Sequence, residues 1–315
     1  MKKLILKKTC VVLQSSAVMK ERNAALLLLL TSFIWGLSFV AQSVSSDLVG
    51  PFTFNSIRLL IGGIVLVPFA IPSIRKGMHD PGYWKKTLKA GIVCGLLLAA
   101  ASVTQQIGVG YSGAGKGGFI TSVYIIIVPF ISLIFGKKVE KKTWIAGLVA
   151  LIGMYLLCMG GESTISVGDI YLILCALLFS FHIMAIDALG KDVDGITMSM
   201  LQFFVGGIVT FPGMVAEGPA ISTVLSAWMP ILYAGAFSCG IAYTLQVVGQ
   251  KYVQPSHAVL LLSLESVWAA IGGVVILSER MSASETIGCI LVFAAVLATE
   301  LDFPVKKKKN VKNNG

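Results

Sequence analysis

The sequence predicts an all-α membrane protein with ten transmembrane helices, arranged as two inverted five-helix repeats. Apolar residues make up 56% of the 315-residue chain and charged residues only 13%, whereas a soluble domain carries roughly 25% charge. The mean hydropathy is +0.86. The charges lie in short clusters between apolar stretches close to the roughly 20 residues that span a bilayer. The two halves of the chain also repeat each other at a nearly fixed offset.

Apolar runs bounded by charges, turns or polar clusters define the predicted helices. The first repeat, residues 24–160, holds five of them, at 24–43, 52–72, 87–108, 117–135 and 144–160. The second repeat, residues 168–301, holds the other five, at 168–187, 197–216, 228–249, 257–277 and 284–301. Residues 1–23 form a cytoplasmic N-terminal extension in which Met19 is an alternative start, and residues 302–315 form a basic cytoplasmic tail.

Basic residues predict the orientation, since Lys and Arg are retained on the cytoplasmic side of short loops. With the N-terminus inside, 22 of the 25 Lys and Arg residues fall in cytoplasmic segments. Lys116 and Arg280 fall outside, and Arg58 lies within a helix. We therefore expect a multi-pass protein of the cytoplasmic (inner) membrane with both termini in the cytoplasm. This topology and contact with anionic lipid account for the net charge of +10, so no nucleic-acid partner is expected.

The internal repeat is clearest in the second helix of each half. "FTFNSIRLLIGGIVLVPF" (52–69) and "ITMSMLQFFVGGIVTFPG" (196–213) share six identities at an offset of 144. Because each copy has five helices, an odd number, the second copy enters the membrane from the opposite side. Inverted repeats are typical of carriers whose halves open in turn around a central site. At an offset of 141, further identities join Gln105 to Gln246, Gly108 to Gly249, Tyr111 to Tyr252 and Gly147 to Gly288.

Residues 110–118, "GYSGAGKGG", look like the start of a phosphate-binding loop. The residue after Lys116 is Gly117, whereas a P-loop needs a Ser or Thr hydroxyl there to hold Mg²⁺. The segment also joins the third and fourth helices on the predicted outer face, where cytosolic ATP does not reach it. Its glycines instead predict a tight turn and a close helix approach. Neither ATP nor another cofactor is expected, and the scattered His and Cys residues predict no metal site.

Four stretches resemble the drug/metabolite transporter superfamily, EamA type. The resemblance covers both repeats, and its last stretch is the most specific. It implies ten helices, secondary active transport by alternating access, and substrates among amino acids and other small metabolites, often exported. The stretches are "LLLLTSFIWGLSFVAQ" (27–42), "FTFNSIRLLIGGIVLVP" (52–68), "AGKGGFITSVYIIIVPFISLIFG" (114–136) and "SHAVLLLSLESVWAAIGGVVILSERMSASETIGCILVFAAVL" (256–297).

An ionisable group at membrane depth is a default candidate for function. Glu265 lies eight residues into the ninth predicted helix, about 12 Å from its cytoplasmic end. We expect it to bind a substrate ammonium group or a proton, or else to hold the bundle through a hydrogen bond. His182 lies at a similar depth in the sixth helix. We expect it to pair with Glu265 in a proton-coupled carrier, or to be a satisfied structural group.

Other candidate residues surround this pair. Lys116 opens the fourth helix, where it is expected to meet a substrate carboxylate or to extend to lipid headgroups. Trp268 shares a helix face with Glu265, and with Trp35 it is expected to enclose a cationic or aromatic substrate, or to pack in the bundle. Arg58 is expected to extend to the outer headgroups or to cap a neighbouring helix. Hydrogen-bonding groups in apolar helices complete the set: Gln42, Gln105, Tyr124, Tyr243 and Gln246.

These observations predict a secondary active transporter that moves small metabolites, amino acids or related compounds, out across the cytoplasmic membrane. Its partners are the small-molecule substrate and the lipid bilayer, with protons as a candidate coupling ion. We do not expect an enzyme. Two alternatives stay open: a membrane-embedded enzyme that acts on a lipid-linked substrate, which would need clustered acids or histidines at one interface, and a passive channel, which would conduct without exchange.

Overall fold

The computed structural model describes residues 2–78, 80–158, 166–277 and 280–301, and within them the chain is helical and contains no strand. The predicted basic tail, residues 302–315, lies outside the described residues. The first half contains α1 (Lys2–Ser46), α2 (Pro51–Gly77), α3 (Pro81–Thr121), α4 (Tyr124–Ile134) and α5 (Lys141–Cys158). The second half contains α6 (Val167–Leu189), α7 (Gly195–Glu217), α8 (Ile221–Ser226), α9 (Trp228–Leu232), a π-helical segment (Tyr233–Tyr243), α10 (Thr244–Gly249), α11 (Pro255–Leu262), α12 (Glu265–Leu277) and α13 (Ala283–Leu301).

Long apolar helical stretches dominate this architecture. Among the described residues, seven are long and apolar enough to cross a membrane, and Ala283–Thr299 is apolar but shorter. This confirms a multi-pass membrane protein. The seven stretches are Lys20–Ser46, Pro51–Gly77, Pro81–Ile134, Val167–Leu189, Gly195–Glu217, Trp228–Gly249 and Pro255–Ile276.

The 54-residue stretch Pro81–Ile134 reverses direction within α3. Gly113 has φ 78° and ψ 170°, a backbone conformation outside the helical region that glycine adopts without a steric penalty. Gln105 Nε2 donates to Thr121 Oγ1 at 3.5 Å, although a straight helix would separate these residues by about 24 Å. The predicted tight turn in the glycine-rich segment is therefore confirmed at Gly113.

Two predicted helices are interrupted about six residues after their predicted start. The fourth predicted helix is interrupted at residues 122–123, before α4 begins at Tyr124. The ninth is interrupted in the same way at residues 263–264, before α12 begins at Glu265. The prediction of continuous helices is wrong at both places, because apolar periodicity does not reveal a local change in backbone hydrogen bonding. At the second break, the Ser263 hydroxyl donates to a backbone carbonyl at 2.7 Å, a bond that competes with regular helix geometry.

The duplicated second helices of the two halves, α2 and α7, pack directly on each other. Their glycine pairs permit this close approach: a side chain at Gly63 would meet the Phe204 ring at 3.0 Å, and one at Gly207 would meet Leu60 at 2.7 Å. The Ser56 hydroxyl donates across the same contact to the Gly207 carbonyl at 3.1 Å. Elsewhere α3 packs on α6 and α5 on α13. These contacts surround a central space.

Candidate functional site

A central cavity lies among α1 to α4, α6, the π-helical segment, α10 and α12. Glu265 on its wall follows the start of α11 by ten residues, about 15 Å along the helix. Glu265 is therefore near the middle of the 22-residue apolar stretch Pro255–Ile276. Six of the nine predicted site residues line the cavity: Trp35, Gln42, Tyr124, Tyr243, Gln246 and Glu265.

Glu265 forms its hydrogen bonds with the other broken helix. Its side chain is 3% exposed, and its Oε1 accepts from the Tyr124 hydroxyl at 2.7 Å and from the Ser122 hydroxyl at 3.4 Å. The two breaks therefore meet at one carboxylate in the centre of the protein.

Several polar atoms on the cavity wall have no hydrogen-bond partner among the described residues. They are Trp35 Nε1, the Ser38 hydroxyl, and the amide oxygens of Gln42 and Gln246. Leaving a buried polar group unpaired costs about 1–3 kcal/mol. A wall that combines convergent polar groups with aromatic rings is typical of a small-molecule site.

Aromatic rings form one side of the cavity. Trp35 lies against Tyr243 with ring centroids 4.5 Å apart. Behind Tyr243, the Phe203 ring lies 5.9 Å away. Aromatic faces attract cations, so this wall suits an ammonium group next to the Glu265 carboxylate.

Arg58 lies at the cavity rather than at the membrane surface. It is 2% exposed, the largest of the fully buried side chains, and it lines the same space as Glu265. Its Nε donates to Asn55 Oδ1 at 2.9 Å, and its guanidinium carbon lies 5.1 Å from the centre of the Phe54 ring. The prediction that Arg58 extends to the headgroups is wrong, because these neighbours hold the side chain inward.

His182 does not pair with Glu265. Its ring is fully buried, and its Nε2 lies 3.0 Å from the amide oxygen of Gln202. Because an amide oxygen only accepts, Nε2 donates in this bond. The ring lies 6.0 Å from that of Tyr243, one layer behind the cavity wall. The predicted acid–imidazole pair is therefore absent from the structure.

Lys116 and Trp268 also lie away from the cavity lining. Lys116 Nζ is 2.7 Å from an oxygen of Asp169, so it ties the start of the fourth predicted helix to the start of α6. Trp268 packs edge to face on Phe33, with centroids 5.2 Å apart. Trp268 shares a helix face with Glu265 but does not line the cavity, because α1 packs against that side of α12.

Gln105, predicted with the other hydrogen-bonding groups of the apolar helices, lines the same space. The cavity also contains residues that the sequence did not single out. These carry no signal in a single sequence, since Ser, Thr, Ile and Phe are common in membrane helices. They are Ser38, Phe39, Thr121, Phe179, Ile183 and Ser238.

Comparisons with known proteins agree with this arrangement. A profile of the EamA-like transporter family matches the chain twice, over residues 22–159 and 166–300. The chain belongs to the EamA-like transporter family. As such, it is a multi-pass membrane transporter.

Relatives of this EamA-like transporter cover nearly its whole length. An uncharacterized transporter of Archaeoglobus fulgidus is 30% identical over 283 residues, which cover 90% of this chain and 87% of the relative. The uncharacterized inner membrane transporter YedA of Escherichia coli K12 is 24% identical, with 87% and 90% covered. A solved crystal structure, 18% identical, superposes with a TM-score of 0.72 over 89% of this chain and 99% of its own. At that identity the superposition shows the fold alone.

Proposed function

We propose that this EamA-like transporter is a secondary active carrier that exports small metabolites, amino acids or related compounds, by alternating access. In this proposal ten transmembrane helices form two inverted five-helix repeats in the cytoplasmic membrane, with both termini inside. The central cavity is the substrate site. Protons are the candidate coupling ion, with Glu265 as the group that binds them or the substrate.

The single observation that carries the proposal is the meeting of two broken helices at the cavity. The breaks at residues 122–123 and 263–264 are separated by 141 residues, the offset of the sequence repeat. Tyr124 and Glu265, which begin the following helices, occupy equivalent positions and are hydrogen-bonded to each other. Discontinuous helices whose ends meet near the midplane form the substrate and ion sites of carriers with inverted repeats.

The packing of the helices supports the two-fold relation. α3 packs on α6, and the π-helical segment and α10, its repeat equivalents, pack on α1. α4 packs on α6, and α11 and α12 pack on α1. α2 packs on its own equivalent, α7, and α5 on its equivalent, α13. These four kinds of contact are retained when the two halves are exchanged, which supports two equivalent repeats.

Counterflow in proteoliposomes tests the proposal. Liposomes containing the purified full chain are preloaded with unlabelled amino acids, and entry of each labelled amino acid is followed over time. A carrier gives transient accumulation that saturates, because exchange is coupled to an unlabelled molecule leaving. The direction of transport is then measured in vesicles in which the protein has a defined orientation. Proton coupling is measured as the change in transport rate when a pH gradient is imposed.

Two variants connect transport to the cavity. Glu265→Gln removes the buried carboxylate and is expected to abolish accumulation or its response to pH. Glu140→Gln removes an exposed carboxylate from a surface pair with Lys142 and is expected to leave transport unchanged. Steady leakage without counterflow would identify a channel and contradict the proposal. Equal transport by the two variants would remove Glu265 from the mechanism.

A further inference from the structure

The central cavity contains two opposite charges that do not pair with each other. Arg58 and Glu265 both line it and are 2% and 3% exposed. Neither takes part in an ion pair among the described residues. Tyr243 lines the cavity together with both side chains. The cavity therefore presents a cation and an anion to whatever occupies the space beside them.

The guanidinium of Arg58 is positioned with most of its donors unused. Its one hydrogen bond within the described part of the chain goes from Nε to the Asn55 amide oxygen. Asn55 is itself fixed, since its Nδ2 donates to the Pro51 carbonyl at 2.8 Å and to the Ser102 carbonyl at 3.2 Å. The face of Phe54 supports the guanidinium plane from one side. These contacts orient Arg58 and leave both Nη groups for a ligand.

A buried guanidinium without an anionic partner is costly, because desolvation of its charge is not offset by a nearby opposite charge. Its planar fork matches a carboxylate with two parallel hydrogen bonds. A ligand carboxylate would supply the missing charge. At Glu265, the aromatic faces of Trp35 and Tyr243 and the carboxylate itself favour a cationic group.

We propose that Arg58 binds the carboxylate of the substrate while Glu265 receives its ammonium group, so that the cavity selects zwitterions over simple amines and simple acids. This inference rests on the proposed carrier function and names the residue that determines the charge pattern of its substrate. Asn55 is a positioning residue, because it holds the guanidinium without reaching the substrate.

Ligand binding to the purified full chain in detergent tests the charge pattern directly. The proteinogenic L-amino acids are titrated one by one, and binding is measured from the shift in melting temperature and by isothermal calorimetry. For each amino acid that binds, the corresponding amine without its carboxylate and the acid without its amino group are titrated as well. We expect the amino acid to bind at least about tenfold more tightly than either analogue, because each analogue leaves one buried charge unpaired.

Three variants identify the group responsible. Arg58→Gln should weaken binding of the amino acid at least about tenfold and leave the weak affinity for the amine unchanged. Arg58→Lys keeps the charge but loses the fork, and it should bind at an intermediate level; it also replaces Arg58→Gln if that variant does not fold. Arg75→Gln, in the same helix but exposed, is the matched control and should bind like the wild type.

The outcomes separate this inference from the proposed function. Wild-type counterflow of compounds that lack a carboxylate, or equal affinity for the amine and the amino acid, would leave the carrier intact and overturn the role of Arg58. Unchanged amino-acid affinity in folded Arg58→Gln would do the same. An amino acid that binds without counterflow would support the charge pattern and contradict the carrier. No binding of any amino acid by the wild type would overturn the inference.

Discussion

The free energy of the hydrogen bond between Tyr124 and Glu265 indicates whether the central carboxylate is ionised. In Tyr124→Phe the ring stays and the hydroxyl, 2.7 Å from Oε1, is lost; the Ser122 hydroxyl at 3.4 Å is left as a weaker donor. Glu265→Met removes the acceptor and keeps an unbranched side chain. The two single variants and the double variant form a thermodynamic cycle that isolates the energy of this pair.

The expected coupling depends on whether the carboxylate is ionised. A hydrogen bond to a charged group contributes about 1.5–3 kcal/mol, whereas one between neutral groups contributes about 0.5–1.5 kcal/mol. Since 1.4 kcal/mol is a factor of ten, an ionised Glu265 changes the unfolding equilibrium by about one to two orders of magnitude. The short hydrogen bond favours the upper range, whereas the deep burial disfavours the charged form and favours the lower range.

The assay is reversible unfolding in mixed detergent micelles, followed by far-ultraviolet circular dichroism. The matched control is the pair Tyr252→Phe and Glu140→Gln, two exposed side chains in different parts of the fold, which should show no coupling. Independent sites show coupling energies no larger than about 0.3 kcal/mol. A coupling between Tyr124 and Glu265 below that value would show that their hydrogen bond does not stabilise the protein and does not hold the two helix breaks together.

Three further predictions concern the surroundings of the cavity. Glu217→Ala removes the carboxylate that accepts hydrogen bonds from the first backbone amides of α2 at 2.9 and 2.7 Å. Loss of this helix cap should destabilise the protein by about 0.5–2 kcal/mol. An unchanged melting curve would contradict the capping role of Glu217. Lys116→Met breaks the ion pair with Asp169 and should lower the free energy of unfolding by about 1 kcal/mol or less. Substrate affinity, measured by calorimetry, should not change. A large loss of affinity would show that Lys116 belongs to the substrate site. Tyr124→Glu alone places two carboxylates next to each other and should lower the melting temperature. The double variant Tyr124→Glu with Glu265→Tyr exchanges the two residues and should restore much of that stability. Equal melting temperatures of the single and the double variant would contradict the equivalence of positions 124 and 265.

The sequence was informative about the centre of the protein where a polar residue interrupts an apolar run. Glu265 is such a residue, and the cost of a charge at membrane depth was enough to predict its place at the cavity. Tyr124, Gln42 and Gln246 were found by the same reasoning. The repeat offset relates the two halves and makes Tyr124 equivalent to Glu265.

Other features depend on contacts that a single sequence does not contain. Arg58 lies only seven residues into α2, close enough to the end for a long side chain to reach the headgroups; the bond to Asn55 and the Phe54 ring turn it inward instead. His182 and Glu265 have similar depths, but depth does not specify the direction in which a side chain points around the helix. The polar partner of His182 is Gln202, on another helix.

The repeat is symmetric in its helices and asymmetric in the charges of its cavity. At the repeat offsets, Arg58 is equivalent to Gln202, and Tyr124 to Glu265. If the first pair were two arginines or the second two glutamates, the cavity would contain like charges, which disfavour each other in a low-dielectric space. Divergence at these two pairs gives one charge of each sign, the cation from the first half and the anion from the second. Gln202 lies next to His182 instead of lining the cavity, so in the proposed charge pattern both buried charges face one zwitterionic substrate.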